Sequence, residues 1–292
     1  MEEYKNCTLC PRECGADRTA GKLGFCGSGA GMRIAKTMLH FWEEPPISGE
    51  RGSGAVFFCG CSLGCVFCQN KKISRGGEAG KDVGVRELAD IMRSLEEEGA
   101  HNINLVTPMH FAPGVARALE IAKPRLTIPV VCNTGGYDKV ETLEMFSGLV
   151  DVYLPDLKYF SPALSAKYSL APDYFEVASA ALTEMYAQVG KYTQKNGLAE
   201  RGVIVRHLVL PGGRRDSAAA LDALSALLPV KDIRLSLMGQ YTPDFYDGED
   251  KNLKRRITSF EYESVLGHAI KLGFEGFFQK ISSADKKYTP EF

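Results

Sequence analysis

The sequence predicts an α/β fold in which six parallel strands, each followed by a helix, form a partial (β/α)6 barrel. From residue 51 onward, short apolar segments alternate with segments of helical periodicity. Strands that are apolar throughout are typical of a parallel sheet covered by helices on both faces. Six such units favour a partial barrel over an open sheet, although spacing alone does not decide between them.

The predicted strands are short, apolar and mostly β-branched, and they cover 54–59, 102–106, 127–132, 150–155, 202–209 and 232–237. Helical patterns cover 85–98, 113–122, 138–146, 174–194, 216–228 and 258–272. In the longest pattern an apolar face recurs at three- and four-residue steps, formed by Ala178, Leu182, Met185 and Val189. Thr258 followed by Glu261 is a capping-box pattern and predicts where the last helix starts.

The composition excludes several classes of function. Lys and Arg number 35 against 36 Asp and Glu, so the sequence shows no basic excess for nucleic acid. No apolar stretch approaches the roughly 18–20 residues that span a bilayer, and the N-terminus is polar rather than a signal peptide. We therefore expect a cytoplasmic protein with no nucleic-acid or membrane partner, whose cysteines serve as metal ligands rather than disulfides.

Cys61, Cys65 and Cys68 form a C-x3-C-x2-C loop directly after the first predicted strand of the barrel. Three thiolates on so short a loop converge on one centre, and thiolates suit zinc or Fe–S clusters. Because clusters are usually held by four cysteines, three predict a cluster with one iron open to another ligand. The alternative is a zinc knuckle, which usually pairs C-x2-C with a second ligand pair further on.

This loop resembles the cluster-binding motif of the radical S-adenosylmethionine (SAM) superfamily. The resemblance implies a partial barrel and a [4Fe-4S] cluster whose open iron binds SAM, with Phe67 beside the adenine. It also implies an electron donor such as flavodoxin or ferredoxin, and reductive cleavage of SAM to a 5′-deoxyadenosyl radical that abstracts hydrogen from a substrate. The rival class, a non-catalytic Fe–S or zinc-binding protein, leaves the polar groups at successive strand ends unexplained.

Thr107 and Arg206 lie near the ends of predicted strands, where parallel sheets gather their ligands. Many radical SAM enzymes place a G-G-E segment near the position of Thr107 to bind the SAM amino group, and Thr107 offers a hydrogen bond instead. By strand alternation Arg206 faces the same side as Leu208. An arginine there needs an anion, which is a SAM carboxylate, a substrate acid or a salt-bridge partner on a helix.

The ends of the third and fourth predicted strands are similar to those of activases of the pyruvate formate-lyase type. In those enzymes the equivalents of Asp156 and Thr134 help to bind a monovalent cation. The equivalent of Lys158 contacts the SAM carboxylate, whereas Asn133 stands where the activases have Asp. The resemblance thus implies that Lys158 contacts SAM and that Asp156 and Thr134 are candidate ligands of a cation.

Residues 1–50 form a predicted metal-binding segment ahead of the barrel, which occupies 51–292. Cys7, Cys10, Cys14 and Cys26 have the spacing of a four-ligand site, which suits either zinc or a second Fe–S cluster. A cluster is slightly favoured because the protein already receives iron and sulfide. The acidic stretch at Glu43 and Glu44 is either a solvated turn or a contributor to the site.

From Cys7 to about Gln279 the chain resembles an uncharacterised pyruvate formate-lyase activating-enzyme-like group. This resemblance is specific for the group and nearly silent about the substrate. An activase would install a glycyl radical on a partner enzyme and would need an open mouth to its barrel. The missing G-G-E segment favours a small-molecule or peptide substrate instead.

Overall fold

Parallel strands and helices alternate along the chain from Ser53 onward, as the sequence predicts. The structure is a computed structural model that describes residues 2–75 and 80–279, so the last residues of the predicted barrel domain lie outside the described part. The strands are β1 Met32–His40, β2 Ser53–Phe58, β3 Lys81–Val83, β4 Ile103–Val106, β5 Val130–Thr134, β6 Val152–Pro155, β7 Thr193–Lys195, β8 Leu198–Leu208, β9 Arg234–Met238 and β10 Gly276–Phe278.

Nine α-helices lie within the described ranges: α1 Pro45–Ser48, α2 Lys71–Ser74, α3 Val85–Glu97, α4 Ala112–Ala122, α5 Val140–Leu143, α6 Pro162–Ser169, α7 Tyr174–Val189, α8 Arg214–Leu227 and α9 Ser259–Lys271. Single 3-10 turns cover Glu2–Tyr4, Arg18–Ala20, Met109–Phe111, Lys123–Arg125, Glu144–Phe146 and Pro243–Phe245. Within residues 2–75 and 80–279, no helix is both long and apolar enough to cross a membrane.

The sheet has the order β10-β9-β8-β6-β5-β4-β2-β1-β3, with β7 attached to β8. From β2 to β10 along this order each neighbouring pair is parallel, whereas β1 is antiparallel to both β2 and β3. The parallel strands follow their order in the chain, as in a barrel, and the sheet stays open. The predicted α/β fold with a partial parallel barrel is confirmed.

The prediction of a helix over 174–194 is wrong at its C-terminal end. α7 ends at Val189, because Gly190 follows with a φ of 67°, and the chain then forms the hairpin strand β7. The predicted apolar face of α7 is buried. The capping box of α9 is also confirmed, since Thr258 Oγ1 accepts a hydrogen bond from Glu261 N at 3.2 Å.

Strand β1 and helix α1 were not predicted, and both lie ahead of the first barrel strand. β1 pairs with β2 from Ile34 to His40. Ile47 of α1 is fully buried and packs against Val131, Val152 and Leu154 of the sheet, which stabilises the fold by roughly 1.5–3 kcal/mol. Helix α1 therefore covers one face of the sheet and anchors the acidic residues just before it. The division of the chain at residue 50 stays a prediction.

Candidate functional site

A cavity of about 260 Å³ lies at the C-terminal ends of the parallel strands. All ten side chains predicted to bind the cluster, SAM or a monovalent cation line it: Cys61, Cys65, Cys68, Phe67, Thr107, Asn133, Thr134, Asp156, Lys158 and Arg206. They come from the loop after β2 and from the ends of β4, β5, β6 and β8, so residues far apart in the sequence meet here. The structure therefore brings the predicted residues together, while their roles stay predictions.

The three cysteines of the loop after β2 are partly buried thiols. Leu63 N donates a hydrogen bond to Cys61 Sγ at 3.4 Å, and Cys65 Sγ lies 3.0 Å from Ser169 Oγ. Burial raises the pKa of Cys61, and the neighbouring Cys65 and Cys68 raise it further. Thiols that crowd together in this way need a positive centre before they can ionise together.

The loop cysteines fit an Fe–S cluster by the chemistry of their donors. In the described ranges, no three His, Cys, Asp or Glu side chains are grouped so that they could hold a single metal ion. A [4Fe-4S] cluster does not require such a group, because each cysteine binds a different iron atom. Cys61, Cys65 and Cys68 would hold three irons and leave the fourth facing the cavity.

Asp156 joins two cationic side chains at the wall of the cavity. It accepts hydrogen bonds from Lys158 Nζ and from Arg206 Nε, the latter at 2.8 Å. Burial alone would raise the pKa of Asp156, but Arg206 and Lys158 outweigh burial and lower it. Burial would likewise lower the pKa of Lys158, but Asp156 and Cys65 outweigh it and raise it. All three side chains are therefore charged at neutral pH.

Glu43 reaches the same network from the segment before α1. Its Oε1 accepts hydrogen bonds from Asn133 Nδ2 at 3.1 Å and from Asn104 Nδ2 at 3.3 Å, and its Oε2 lies 3.3 Å from Arg206 Nη1. Arg206 Nη2 also donates to Asn133 Oδ1 at 2.6 Å. The acidic stretch is thus not a solvated turn, and the salt-bridge partners of Arg206 come from strand ends and this segment rather than from a helix.

Glu44 is buried beside Glu43, and its Oε2 has no hydrogen-bond partner among the described residues. Burial raises the pKa of Glu44 to about 7, with Glu43 adding to the shift and Arg206 opposing it. Burial also raises the pKa of Glu43. The two carboxyl groups next to one arginine therefore hold a proton more readily than exposed glutamates do.

Thr107 follows β4 in a left-handed backbone conformation with a φ of 59°. This conformation is strained for a β-branched residue, and such strain clusters at functional sites. The hydrogen bond from Thr107 N to Asn133 O, 2.8 Å long, holds the turn in place. The strained turn presents Thr107 to the cavity.

Thr134 forms a hydrogen bond with a partner that the sequence did not suggest. Its Oγ1 donates to Asp138 Oδ2 at 2.5 Å and accepts a hydrogen bond from Gly136 N at 2.9 Å. Burial raises the pKa of Asp138 to about 6, although the hydrogen bond from Thr134 opposes the shift. Asp138 is thus a buried carboxyl group that holds the Thr134 hydroxyl in place at the cavity wall.

Aromatic and polar side chains from the segments before α1 and after β9 complete the lining of the cavity. Phe67 packs edge-on against Tyr241, with ring centroids 6.0 Å apart. His40 and Trp42 line the wall from the N-terminal side. Sequence reasoning missed His40 and Trp42 as site residues, and only the paired glutamates next to two prolines gave a signal for this segment.

The four N-terminal cysteines lie apart from the cavity lining. Cys7, Cys10 and Cys26 are buried and Cys14 is exposed. A side chain at Gly24 would lie 3.3 Å from Cys26 Sγ and 3.4 Å from Cys14 Sγ. Because glycine has no Cβ, the space beside these two sulfur atoms stays open. An open space next to two thiols suits a metal centre that both of them bind.

Comparison with known proteins identifies the class of protein. The sequence profile of the Radical SAM superfamily matches residues 55–224, so the chain belongs to that superfamily. It is also 28% identical over 289 residues to an uncharacterized protein of Methanocaldococcus jannaschii, covering 93% of this chain and 76% of the relative. The family implies a [4Fe-4S] cluster and SAM, which agrees with the residues that line the cavity.

A radical SAM methyltransferase from Sphaerobacter thermophilus has a similar fold, with a TM-score of 0.53 and 14% sequence identity. The match covers 77% of this chain and spans 65% of the length of that enzyme. At this level of identity the similarity concerns the fold alone.

Proposed function

We propose that the protein is a radical SAM enzyme of the pyruvate formate-lyase activating-enzyme-like group, acting on a small-molecule or peptide substrate. The observation that carries this proposal is that three loop thiols and the Asp156–Lys158–Arg206 network line one cavity. When bound and reduced by a donor such as flavodoxin or ferredoxin, the cluster and SAM supply a 5′-deoxyadenosyl radical that abstracts hydrogen from the substrate.

The chain's own residues bind and orient SAM in this proposal. Lys158 places a positive charge beside Cys65 and would contact the SAM carboxylate. Thr107 would offer its hydroxyl to the amino group, and Phe67 would lie beside the adenine. Asp156 already pairs with two cations and Thr134 with Asp138, so a monovalent cation at these side chains would have to replace one of those contacts.

The walls of the cavity favour a small substrate. Residues before α1 and after β9 both contribute to its lining, among them Trp42, Glu43, Gln240 and Tyr241. Its volume of about 260 Å³ lies just below the range of ligand pockets, which hold about 300–1,000 Å³. SAM would fill much of that space, which leaves little room for the loop of a partner protein.

The reaction is tested by anaerobic reconstitution with iron and sulfide, followed by dithionite and SAM. We expect formation of 5′-deoxyadenosine by the wild-type chain and none by the variant with Cys61, Cys65 and Cys68 changed to Ala. A fully loaded wild-type protein that neither binds nor cleaves SAM would overturn the proposal.

The alternative, activation of a partner enzyme by a glycyl radical, is favoured by the similarity at Thr134, Asp156 and Lys158. Deuterium transfer separates the two reactions. The enzyme is incubated with low-mass and protein fractions of cells grown in heavy water, and deuterium in 5′-deoxyadenosine is measured. We expect deuterium from the low-mass fraction, whereas deuterium from the protein fraction alone would support the activase.

A further inference from the structure

Arg18 is almost completely buried in the N-terminal segment, with 2% of its surface exposed. Its Nε and Nη2 donate to Gly29 O at 2.9 and 2.6 Å, and its Nη1 donates to His110 O at 2.6 Å. Within the described ranges, Arg18 forms no ion pair with an Asp or Glu side chain. Burying a charge costs a large free energy unless an opposite charge compensates it, so an anion at this place would stabilise Arg18.

The anion is indicated by Cys7, whose Sγ lies 3.6 Å from Arg18 Nη1. The backbone brings the other cysteines to the same place, because Gly15 N donates to Cys7 O at 3.1 Å and Glu13 N donates to Cys10 O at 3.0 Å. A Cβ at Gly24 would lie 3.4 Å from Cys14 Sγ and 3.3 Å from Cys26 Sγ, so these two sulfur atoms face one point. As neutral thiols the four cysteines would leave Arg18 uncompensated. As four thiolates around a zinc ion or a [4Fe-4S] cluster they would form a centre with net negative charge.

We propose that Cys7, Cys10, Cys14 and Cys26 hold an anionic tetrathiolate metal centre whose charge is balanced by the buried guanidinium of Arg18. The two cation–π contacts of Arg18, 4.3 Å from the ring of Tyr4 and 5.2 Å from that of Phe111, fix the guanidinium beside the centre. These cysteines lie in the described ranges, where no three such side chains are grouped to hold a single metal ion, so an Fe–S cluster, in which each cysteine binds its own iron, fits them better than zinc. The experiment below separates the two.

The same centre supports the backbone of the loop that carries Cys61. Cys61 N donates to Cys26 O at 3.3 Å. Arg12, between two of the four cysteines, donates from Nε to Ser62 O at 2.9 Å and from Nη2 to Ser169 O at 3.1 Å. Ser169 in turn contacts Cys65. The metal centre therefore positions the loop at two of its cysteines.

The test uses the full chain with Cys61, Cys65 and Cys68 changed to Ala, so that radical chemistry plays no part in the result. We expect this variant to bind one zinc ion or one Fe–S cluster per chain, distinguished by metal analysis and Mössbauer spectroscopy. Adding Cys7→Ser and Cys10→Ser should abolish the bound metal. No metal on the triple variant, or metal that survives both added changes, would overturn the centre.

The role of Arg18 is measured in the same background by competition with a chelator. We expect Arg18→Gln to weaken metal binding about tenfold or more, because a charged hydrogen bond is lost, and Arg18→Lys to retain most of the affinity. Equal metal affinity in the triple variant, in its Arg18→Gln form and in its Arg18→Lys form would contradict the charge balance. If Arg18→Gln does not fold, the wild-type chain still gives an answer: metal removal should speed proteolysis within residues 2–31, and unchanged cleavage would count against the proposal.

Discussion

Arg206 and Glu43 form an ion pair, with Nη1 3.3 Å from Oε2, although 163 residues separate them in the sequence. Asp156, Glu44 and Glu43 together raise the pKa of Arg206, against the effect of burial, which alone would lower it. The pair joins the end of β8 to the segment before α1. It therefore ties the cavity wall to a part of the chain that precedes the barrel.

Removing the charge of Arg206 should destabilise the fold strongly. Arg206→Met would leave Glu43 buried without its counter-charge and Asp156 with Lys158 alone, and breaking a buried ion pair costs about 3–5 kcal/mol. The free energy of unfolding in urea measures the loss. Arg255→Met is the control. The ion pair between Arg255 and Glu261 is more exposed and should contribute no more than about 1 kcal/mol to stability. Similar losses of stability in both variants would mean that the buried network contributes no more than the more exposed ion pair does.

Stability should fall with rising pH because of Glu44. Its pKa is about 7 in the folded protein against 4.5 for the ordinary group. Its stabilising contribution is therefore complete below pH about 4.5 and is lost as the pH rises through about 7. Glu44→Gln should remove this dependence, an effect of about 3 kcal/mol between pH 4.5 and 8.

Urea unfolding at several pH values, followed by circular dichroism, checks the role of Glu44. The control is Glu120→Gln, which alters an exposed glutamate near the end of α4 and should keep the wild-type dependence. A Glu44→Gln curve parallel to that of wild type would refute the assignment.

Lys158 should control SAM affinity without affecting the cluster. In reconstituted protein, Lys158→Met should lower SAM affinity about tenfold or more, because a hydrogen bond to a carboxylate is lost. The iron content should stay unchanged. Lys167→Met is the matched control, since this lysine is exposed and pairs with Asp250 away from the predicted SAM site. Equilibrium dialysis with labelled SAM gives both affinities, and loss of iron in Lys158→Met would point to a structural role instead.

Gly60 should be far less tolerant of substitution than Gly99. Both have a left-handed backbone, with φ of 91° and 99°. A Cβ at Gly60 would lie 2.2 Å from Ser28 Oγ and 2.7 Å from Cys26 O, whereas none of the described atoms lies within 4 Å of one at Gly99. Because the backbone strain is shared and only Gly60 adds a steric clash, Gly60→Ala should cost about 1–3 kcal/mol more than Gly99→Ala. Thermal unfolding measures both, and equal costs would show that the contact with Cys26 is easily displaced.

The sequence predicted what depends on local pattern. The six barrel strands, the apolar face of α7 and the cysteine loop after β2 are each encoded within a few neighbouring residues. The same holds for Asp156 and Lys158, which directly follow a buried strand. Parallel topology then brings such strand ends together, so their convergence followed from the fold.

The remaining features depend on contacts between distant segments. Nothing near Glu43 in the sequence indicates that Arg206 would be its partner. Strand β1 is antiparallel and carries polar residues, so its pattern did not stand out beside the apolar barrel strands. Asp138 was missed as the partner of Thr134 because it lies beyond Gly135 and Gly136, where the predicted strand-end motif stops.

The cavity is lined by residues that lie far apart in the sequence, from His40 to Thr242. During synthesis, therefore, the loop cysteines leave the ribosome long before the walls that shield them. The chain has to be extended by more than half its length before Tyr241 can pack on Phe67. Until then the three loop thiols lack the wall that Tyr241 provides and are more open to solvent than in the folded protein.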